Sequence, residues 1–323
     1  MPLPALLESR LRLPVIGAPM FLVSTPALVI AQCKAGIVGS FPALNARPAA
    51  QLEDWLSEIT ETLAGLRRAN PGARIAPFAV NQIVHSSNDR LEHDVAACVK
   101  HRVPIIITSL RPPAEVVSAV HAYGGIVFHD VINRHHAEKA AAQGVDGIIA
   151  VCAGAGGHAG LLSPFALVKE IRELYAGTII LAGAMSTGAD VLAAQALGAD
   201  LAYLGTRFIA TEEANASRDY KQMLVDSAAE DIVYTSLFSG ISGNYVRGSI
   251  ERTGLDPDNL PAADKSKMNF GSGGNTALKA WRDIWSAGQS VSGVRGISPV
   301  AALVDRMAAE YEAARSRLGG TRA

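Results

Sequence analysis

One histidine in the sequence has neighbours that suit catalysis. His158 lies in the run 153–160, in which all the remaining residues are alanine or glycine. Such small neighbours leave an imidazole accessible and let a flat ligand approach the backbone. Because an imidazole takes up a proton or stabilises negative charge near neutral pH, we predict that His158 is catalytic. The alternative is a surface-loop histidine without a role, and the sequence alone leaves it open.

Two pairs of small residues have the composition of a phosphate site. Gly183-Ala184 and Gly205-Thr206 each directly follow an apolar run. Backbone N–H groups without bulky side chains can approach phosphate oxygens, and the N-terminus of the following helix favours an anion. Loops at the last two strands are the recurring phosphate site of α/β barrels. We therefore predict phosphate binding here, against the alternative that both glycines only make tight strand-to-helix turns.

Two other patterns do not support a competing kind of site. Residues 154–159 satisfy the loose G-x-G-x-x-A dinucleotide pattern, but the next helix does not begin there. The following strand also ends in Ala-Gly rather than in an acidic ligand for a ribose. His135-His136 lacks a second ligand motif or a carboxylate cluster, so we expect no metal.

Eight short apolar runs alternate with stretches of helical periodicity, and these elements must position the candidate residues. The runs are apolar throughout, which is typical of parallel strands covered on both sides. Ser163 and Thr187 have the residue type of helix N-caps. Eight strand–helix units in about 200 residues favour a (β/α)8 TIM barrel over an open sheet. The predicted strands are 14–16, 36–39, 75–80, 104–108, 125–129, 147–151, 178–182 and 201–204.

Ligands of such a barrel bind at the carboxyl ends of the strands. The residues that follow strands 1, 3 and 5 include Pro19-Met20, Asn81 and Asp130, which become further candidates. After residue 207 the pattern changes, and 211–280 is helix-like at first and then irregular. We predict a barrel formed by residues 1–210 and 285–323. A small helical subdomain or lid, 211–284, is inserted after the last strand.

The composition excludes several classes of protein. Of 323 residues, 49% are hydrophobic and 18% charged, which allows a large core and argues against disorder. The formal net charge of −1 lacks the basic footprint of a nucleic-acid or anionic-membrane binder. No apolar run reaches the ~18 residues that span a bilayer, and no signal peptide is visible. Three scattered cysteines without a CxxC pair suit a reduced, cytoplasmic protein.

At these residues the chain resembles the nitronate monooxygenase family, formerly called 2-nitropropane dioxygenases, which are FMN-dependent TIM-barrel enzymes. The most specific match is the glycine-rich segment that ends in Gly-His-x-Gly, together with the later GTRF. The matching segments are LPVIGAPM (13–20), FAVN (78–81), GVDGIIAVCAGAGGHAG (144–160), IILAGAM (179–185), ALGADLAYLGTRFIAT (196–211) and WSAGQ (285–289).

The resemblance implies a role for each matching residue. His158 would be the catalytic histidine, and Asn81 would bond the polar edge of the isoalloxazine ring. The residues along the ring would be Pro19, Met20, Phe21, Ala155 and Gly157, and the phosphate would be held by Ala182, Gly183, Ala184, Gly205 and Thr206. The implied reaction oxidises an alkyl nitronate, or a neutral nitroalkane after loss of its α-proton, with O2 to a carbonyl compound and nitrite. Met20, Phe21 and Phe238 would line the substrate, and a homodimer is possible.

The chain departs from some relatives at positions near the flavin. Some carry Lys where Asp130 stands, so an anion replaces a cation in the implied cofactor site. This difference leaves room for an NAD(P)H-dependent reductase of quinones or enoyl thioesters on the same barrel. A third alternative is a barrel without flavin that binds a phosphorylated metabolite as a lyase, synthase or regulatory module.

Overall fold

The computed structural model describes residues 3–111, 113–261 and 284–320. Its strands are β1 (Val15–Gly17), β2 (Gly39–Pro42), β3 (Phe78–Val84), β4 (Ile105–Leu110), β5 (Ile126–Val131), β6 (Gly147–Val151), β7 (Gly157–His158), β8 (Thr178–Ala182), β9 (Leu201–Leu204), β10 (Ile232–Thr235) and β11 (Gly243–Val246). Its helices are α1 (Pro26–Lys34), α2 (Gln51–Ala69), α3 (Leu91–Lys100), α4 (Ala114–His121), α5 (Arg134–Ala142), α6 (Pro164–Leu174), α7 (Gly188–Ala196), α8 (Thr206–Ile209), α9 (Arg218–Asp226), α10 (Arg247–Glu251) and α11 (Val300–Gly319).

Eight parallel strands form the barrel in the order β1-β9-β8-β6-β5-β4-β3-β2. An isolated parallel bridge between Ile16 and Val38, just before β2, joins the two ends of this sheet. The predicted TIM-barrel fold is therefore confirmed. The apolar runs became strands because both of their faces are buried, one against helices and the other in the barrel interior.

The barrel interior is filled by inward-pointing side chains such as Ile107, Phe128 and Ile149, all with no exposed surface. Leu7, from the segment before β1, belongs to the same cluster and is also fully buried. Side chains of a strand alternate between faces, so residues two positions beyond an interior residue also point inward. This alternation decides which polar side chains reach the mouth of the barrel.

Some predicted strand boundaries are wrong by several residues. β2 begins at Gly39, where the predicted strand ended, and β3 and β5 extend past their predicted ends. Asn81 and Asp130 therefore lie inside strands rather than after them. The reason is the ladder between β3 and β4, which continues to the pair Val84 and Leu110. The predicted bounds of the strands 147–151, 178–182 and 201–204 are confirmed.

Both predicted N-caps are confirmed. The Ser163 side chain accepts a hydrogen bond from Phe165 N, and Thr187 forms a capping box with Asp190. These caps fix where α6 and α7 begin, immediately after the loops that follow β6 and β8.

The segment after residue 211 contains strands as well as helices. β10 and β11 pair in antiparallel fashion, and β11 also pairs with the two-residue strand β7. This second sheet, β10-β11-β7, lies outside the barrel and joins the loop after β6 to residues 232–246. Much of the stretch predicted to be irregular, 262–283, lies outside the described residues, and the division into a barrel and a lid remains a prediction. Over the described ranges, the helices are too short or too polar to cross a membrane.

Candidate active site

The loops after β8 and β9 carry backbone donors that the described residues leave without an acceptor. Gly183 has φ +139°, and an added Cβ there would lie 2.8 Å from Ala153 O, so the turn requires glycine. Ala184 adopts φ +54°, and its N–H donates a hydrogen bond of 3.3 Å to Gly154 O. Within the described ranges, the N–H groups of Met185 and Thr206 have no acceptor. We call these two loops, residues 183–185 and 205–206, the cradle.

Most of the N–H groups around the start of α7 already have acceptors within the protein. Asp190 Oδ2 accepts hydrogen bonds from the N–H groups of Ser186 and Thr187, at 2.8 Å each. Glu310 Oε2 accepts from Gly188 N at 2.9 Å. The main donors that these loops offer to an anion are therefore those of the cradle, which include Thr206 at the start of α8.

The loop after β6 is held against the cradle by residues from distant parts of the chain. Gly288 N donates a hydrogen bond of 2.8 Å to Thr206 Oγ1, and Gln289 N donates one of 2.9 Å to Gly154 O. A Cβ added at Gly156 would lie 3.1 Å from Thr206 Oγ1. The glycine-rich loop and the cradle therefore form one compact structure, to which the segment 285–289 contributes.

Two buried polar side chains fix the part of this loop that carries the candidate histidine. Ser286 Oγ accepts from Gly157 N over 2.8 Å and donates to Asn244 O over 2.6 Å. Asn244 Nδ2 donates to Ala155 O over 2.6 Å. These bonds satisfy the loop backbone without a long strand, and they set the path of the chain on both sides of Gly156.

His158 is partly buried on β7, opposite Gly243 of β11. Its Nε2 lies 2.9 Å from Ser239 Oγ, and Ser239 Oγ also lies 2.9 Å from Ile241 O. Because a carbonyl only accepts, the hydroxyl donates to Ile241 O and accepts the Nε2 proton of His158. These contacts hold the imidazole ring of His158 in place between β7 and the segment that carries Ser239. Burial lowers the pKa of His158 to about 4, so the imidazole is neutral at pH 7.

A polar chain occupies the opposite side of the mouth. Ala79, Ile107 and Phe128 point into the barrel, so Asn81, Ser109 and Asp130, two residues further along their strands, do the same. Asn81 Nδ2 donates to Ser109 Oγ over 2.9 Å, and Ser109 Oγ donates to Asp130 Oδ2 over 2.6 Å. Burial raises the pKa of Asp130 to about 6, against the lowering effect of the Ser109 hydrogen bond.

The loop after β1 carries Pro19, Met20 and Phe21, all partly buried. Asn45 holds this loop: its Oδ1 accepts from Leu22 N over 2.9 Å, and its Nδ2 donates to Met20 O over 3.0 Å. Phe21 lies beneath a guanidinium, with Arg47 Cζ 5.2 Å from the ring centroid. A Cβ added at Gly205 would lie 3.6 Å from Met20 Sδ, which brings this loop to the cradle.

The structure gathers the predicted residues into two groups and leaves one apart. The first group comprises the cradle together with the β1 loop and the β6 loop, each of which contacts the cradle. Ala182, 4% exposed, is the last residue of β8, which leads into the cradle. The second group is the polar chain of Asn81 and Asp130. Phe238 instead packs on Tyr245, with ring centroids 5.0 Å apart, and it adjoins Ser239.

Four polar residues of the site were missed by sequence reasoning: Asn45, Ser109, Ser239 and Asn244. Ser109 was within reach, because it lies one residue beyond the predicted end of strand 4 and shares the inward face of Ile107. The others act on residues far away in sequence, such as Asn244 on Ala155, and no local pattern marks them.

The fold and the site together define an α/β-barrel enzyme whose mouth combines backbone donors without an acceptor among the described residues, a neutral histidine and a buried carboxyl group. The chain belongs to the nitronate monooxygenase family, whose model matches residues 5–310. This match confirms the predicted family. It also confirms the predicted class, a flavin-dependent oxidoreductase, and supports nitronate oxidation, the activity for which the family is named.

Individual relatives agree with this assignment. The nitronate monooxygenase of Paraburkholderia phytofirmans is 29% identical, over 93% of this chain and 92% of its own length. The structure of nitroalkane oxidase from Streptomyces ansochromogenes has a TM-score of 0.79 at 22% identity and covers 97% of this chain and 100% of its own. FabK from Thermotoga maritima has a TM-score of 0.76 at 23% identity and covers 97% and 96%. At such identities the two structures establish the fold.

Proposed function

We propose that this chain is an FMN-dependent nitronate monooxygenase that converts alkyl nitronates and O2 to carbonyl compounds and nitrite, with His158 as its catalytic residue. The observation that carries the proposal is the contact between the loop of His158 and the cradle. Gly156 lies against Thr206, and His158 is two residues further along the same loop. A ligand anchored by its phosphate at the cradle would therefore lie within the part of the mouth that His158 borders.

The residues present fit an FMN. The N–H groups of Met185 and Thr206 offer donors for a phosphate, as the hydroxyl of Thr206 does. Asp130 Oδ1 is buried and has no hydrogen-bond partner among the described residues, which suits a ligand with polar groups at its far edge. The proposed phosphate ligands are Ala182, Gly183, Ala184, Gly205 and Thr206; the residues along the ring are Pro19, Met20, Phe21, Ala155 and Gly157; those at its polar edge are Asn81 and Asp130.

When bound, FMN would supply the electron acceptor for the nitronate, which is already a carbanion equivalent. The protein orients the substrate, excludes water and controls one proton. A neutral His158 can accept the α-proton of a nitroalkane at its imidazole ring, which leaves the substrate as an anion beside an imidazolium. An anion bound beside the ring raises the pKa of His158 and stabilises that pair of charges. For a substrate that arrives as the nitronate, the same contact stabilises the bound anion.

The test is aerobic turnover of an alkyl nitronate by the FMN-loaded protein without any nicotinamide. We expect nitrite release together with O2 consumption. His158→Asn should lower turnover by roughly 100-fold or more, the typical effect of losing an acid/base group, while the flavin absorbance near ~450 nm is retained. The matched control is His135→Asn at an exposed position on α5, which should behave as the wild type.

Other outcomes would indicate the alternative functions. Absence of nitrite, with rapid anaerobic bleaching of the flavin by NADH or NADPH, would indicate the reductase. A colourless protein that takes up no FMN would indicate the phosphate-binding barrel. The cytoplasmic location and the homodimer remain predictions from the sequence, and a sedimentation measurement tests the latter.

A further inference from the structure

The polar chain opposite the cradle ends in a carboxyl group that the protein leaves incomplete. Hydrogen bonds run from Asn81 to Ser109 and from Ser109 to Oδ2 of Asp130, and Asn81 also donates to Ile107 O. Oδ1 of Asp130 is buried, and the described residues offer it no partner. A buried polar atom without a partner is destabilising, so a hydrogen bond from the bound ligand to this oxygen would be favourable.

The surroundings of Asp130 favour its neutral form. Burial is the larger effect on its pKa, and the hydrogen bond from Ser109 is the smaller, opposing one. Its titratable neighbour across the mouth is Tyr203 of β9, whose own pKa is raised by burial and by the charge of Asp130. Within the described part of the chain, no cation is among the groups that shift the pKa of Asp130. Asp130 can therefore change its charge between weakly acidic and neutral pH.

The strand order determines what meets this carboxyl group. The cradle follows β8 and β9, whereas Asn81, Ser109 and Asp130 lie on β3, β4 and β5, across the barrel from it. A flat ligand anchored by a phosphate at the cradle must cross the mouth to fill it, so its far edge reaches the polar chain. The far edge of FMN carries N–H and C=O groups, which match a carboxyl group in either protonation state.

We propose that Asp130, positioned by Ser109, lowers the reduction potential of the bound flavin and adds its own contribution to the pH dependence of that potential, beyond the proton that a flavin takes up itself. The inference rests on the proposed FMN site but not on nitronate turnover. Reduction by dithionite would add two electrons and one proton from solvent to the ring, which leaves one net negative charge; that charge favours the uptake of a further proton from solvent by Asp130. A carboxylate at the ring edge opposes the added electrons, whereas a neutral carboxylic acid donates a hydrogen bond and favours them.

The experiment measures the midpoint potential of the bound FMN between pH 5 and pH 8 against a reference dye. In Asp130→Asn the side chain is neutral throughout, so wild type and variant should agree near pH 5 and diverge towards pH 8. The expected difference at pH 8 is about tenfold in the redox equilibrium, or ~30 mV for a two-electron couple, with the variant higher. The matched control is Asp54→Asn on the exposed side of α2, which should follow the wild type.

A second variant keeps the inference testable if Asp130→Asn does not fold. Ser109→Ala removes the hydrogen bond that lowers the pKa of Asp130, so the pH at which the potential changes should rise. Equal potentials of wild type and Asp130→Asn at every pH, or an unmoved midpoint in Ser109→Ala, would overturn the inference. Wild-type protein that takes up no FMN overturns both proposals, whereas loaded protein that shows the pH effect but releases no nitrite overturns only the proposed function.

Discussion

Gly288 joins the cradle to the loop of His158, and replacing it with alanine tests how strictly the site is positioned. An added Cβ would lie 2.6 Å from Gly156 N and closer still to Gly154 O, and both are backbone atoms. Ordinary contact begins near 3.4 Å, so the two segments must separate by more than about 0.8 Å. The φ of Gly288 is −97°, which alanine adopts readily, so the effect of the substitution is steric rather than conformational.

We expect Gly288→Ala to affect both stability and chemistry. Overpacking of this kind is destabilising by about 1–3 kcal/mol, which lowers the melting temperature by roughly 2–4 °C for each kcal/mol. A displacement near 1 Å at the reacting groups reduces turnover by on the order of 100-fold. Nitrite release and FMN affinity measure the chemistry, and thermal unfolding measures the stability.

The control for this substitution is Gly72→Ala, because nothing lies within 4 Å of a Cβ added there. It should keep wild-type turnover and a wild-type melting temperature. If Gly288→Ala kept the FMN affinity and turnover of the wild type, the contact between the loop of His158 and the cradle would not position the site, and the reasoning would be refuted.

Two further predictions concern the loop after β1 and the response to acid. Asn45→Ala removes three hydrogen bonds to that loop, so the free energy of unfolding should fall by about 3 kcal/mol and FMN should bind more weakly. The control is Asn70→Ala at an exposed helix end, and equal values for the two variants would contradict this prediction. Burial lowers the pKa of His129 to about 4, so the unfolded chain binds more protons below its ordinary pKa of about 6.5, and the free energy of unfolding should decrease from pH 6.5 to pH 4 by up to about 3 kcal/mol. Urea unfolding at pH 5 and pH 7 measures this loss, which should be smaller in His129→Gln; an equal loss in both proteins would assign it to other groups.

The strands of the barrel could be read from the sequence because burial on both faces leaves a continuous apolar run. The same rule placed the ends of β3 and β5 too early. Asn81 and Asp130 are polar and look like loop residues, yet the ladder continues through them because the mouth of the barrel tolerates polar side chains. The sequence therefore indicates Asn81 and Asp130 only as separate candidates, and it does not indicate Ser109, which joins them.

The second sheet could not have been predicted from local patterns. β7 consists of Gly157 and His158 alone, which is too short to show any periodicity, and its partner β11 begins at Gly243. β7 is held by pairing with a strand far away in sequence and by the hydrogen bond from Gly157 N to Ser286 Oγ. The residues next to β7 in the sequence indicate neither of these contacts. The candidate histidine was thus found by the composition around it, whereas the groups that hold it were not.

In the proposed site, the ligand would be anchored by turns that follow barrel strands, whereas the imidazole of His158 contacts Ser239 and is carried by a strand paired with β11 of the small second sheet. We expect that exchange of residues 232–246 between related enzymes would change the direction of the imidazole and leave the proposed anchor of the ligand in place. A change in substrate preference would then not require a change in the barrel strands.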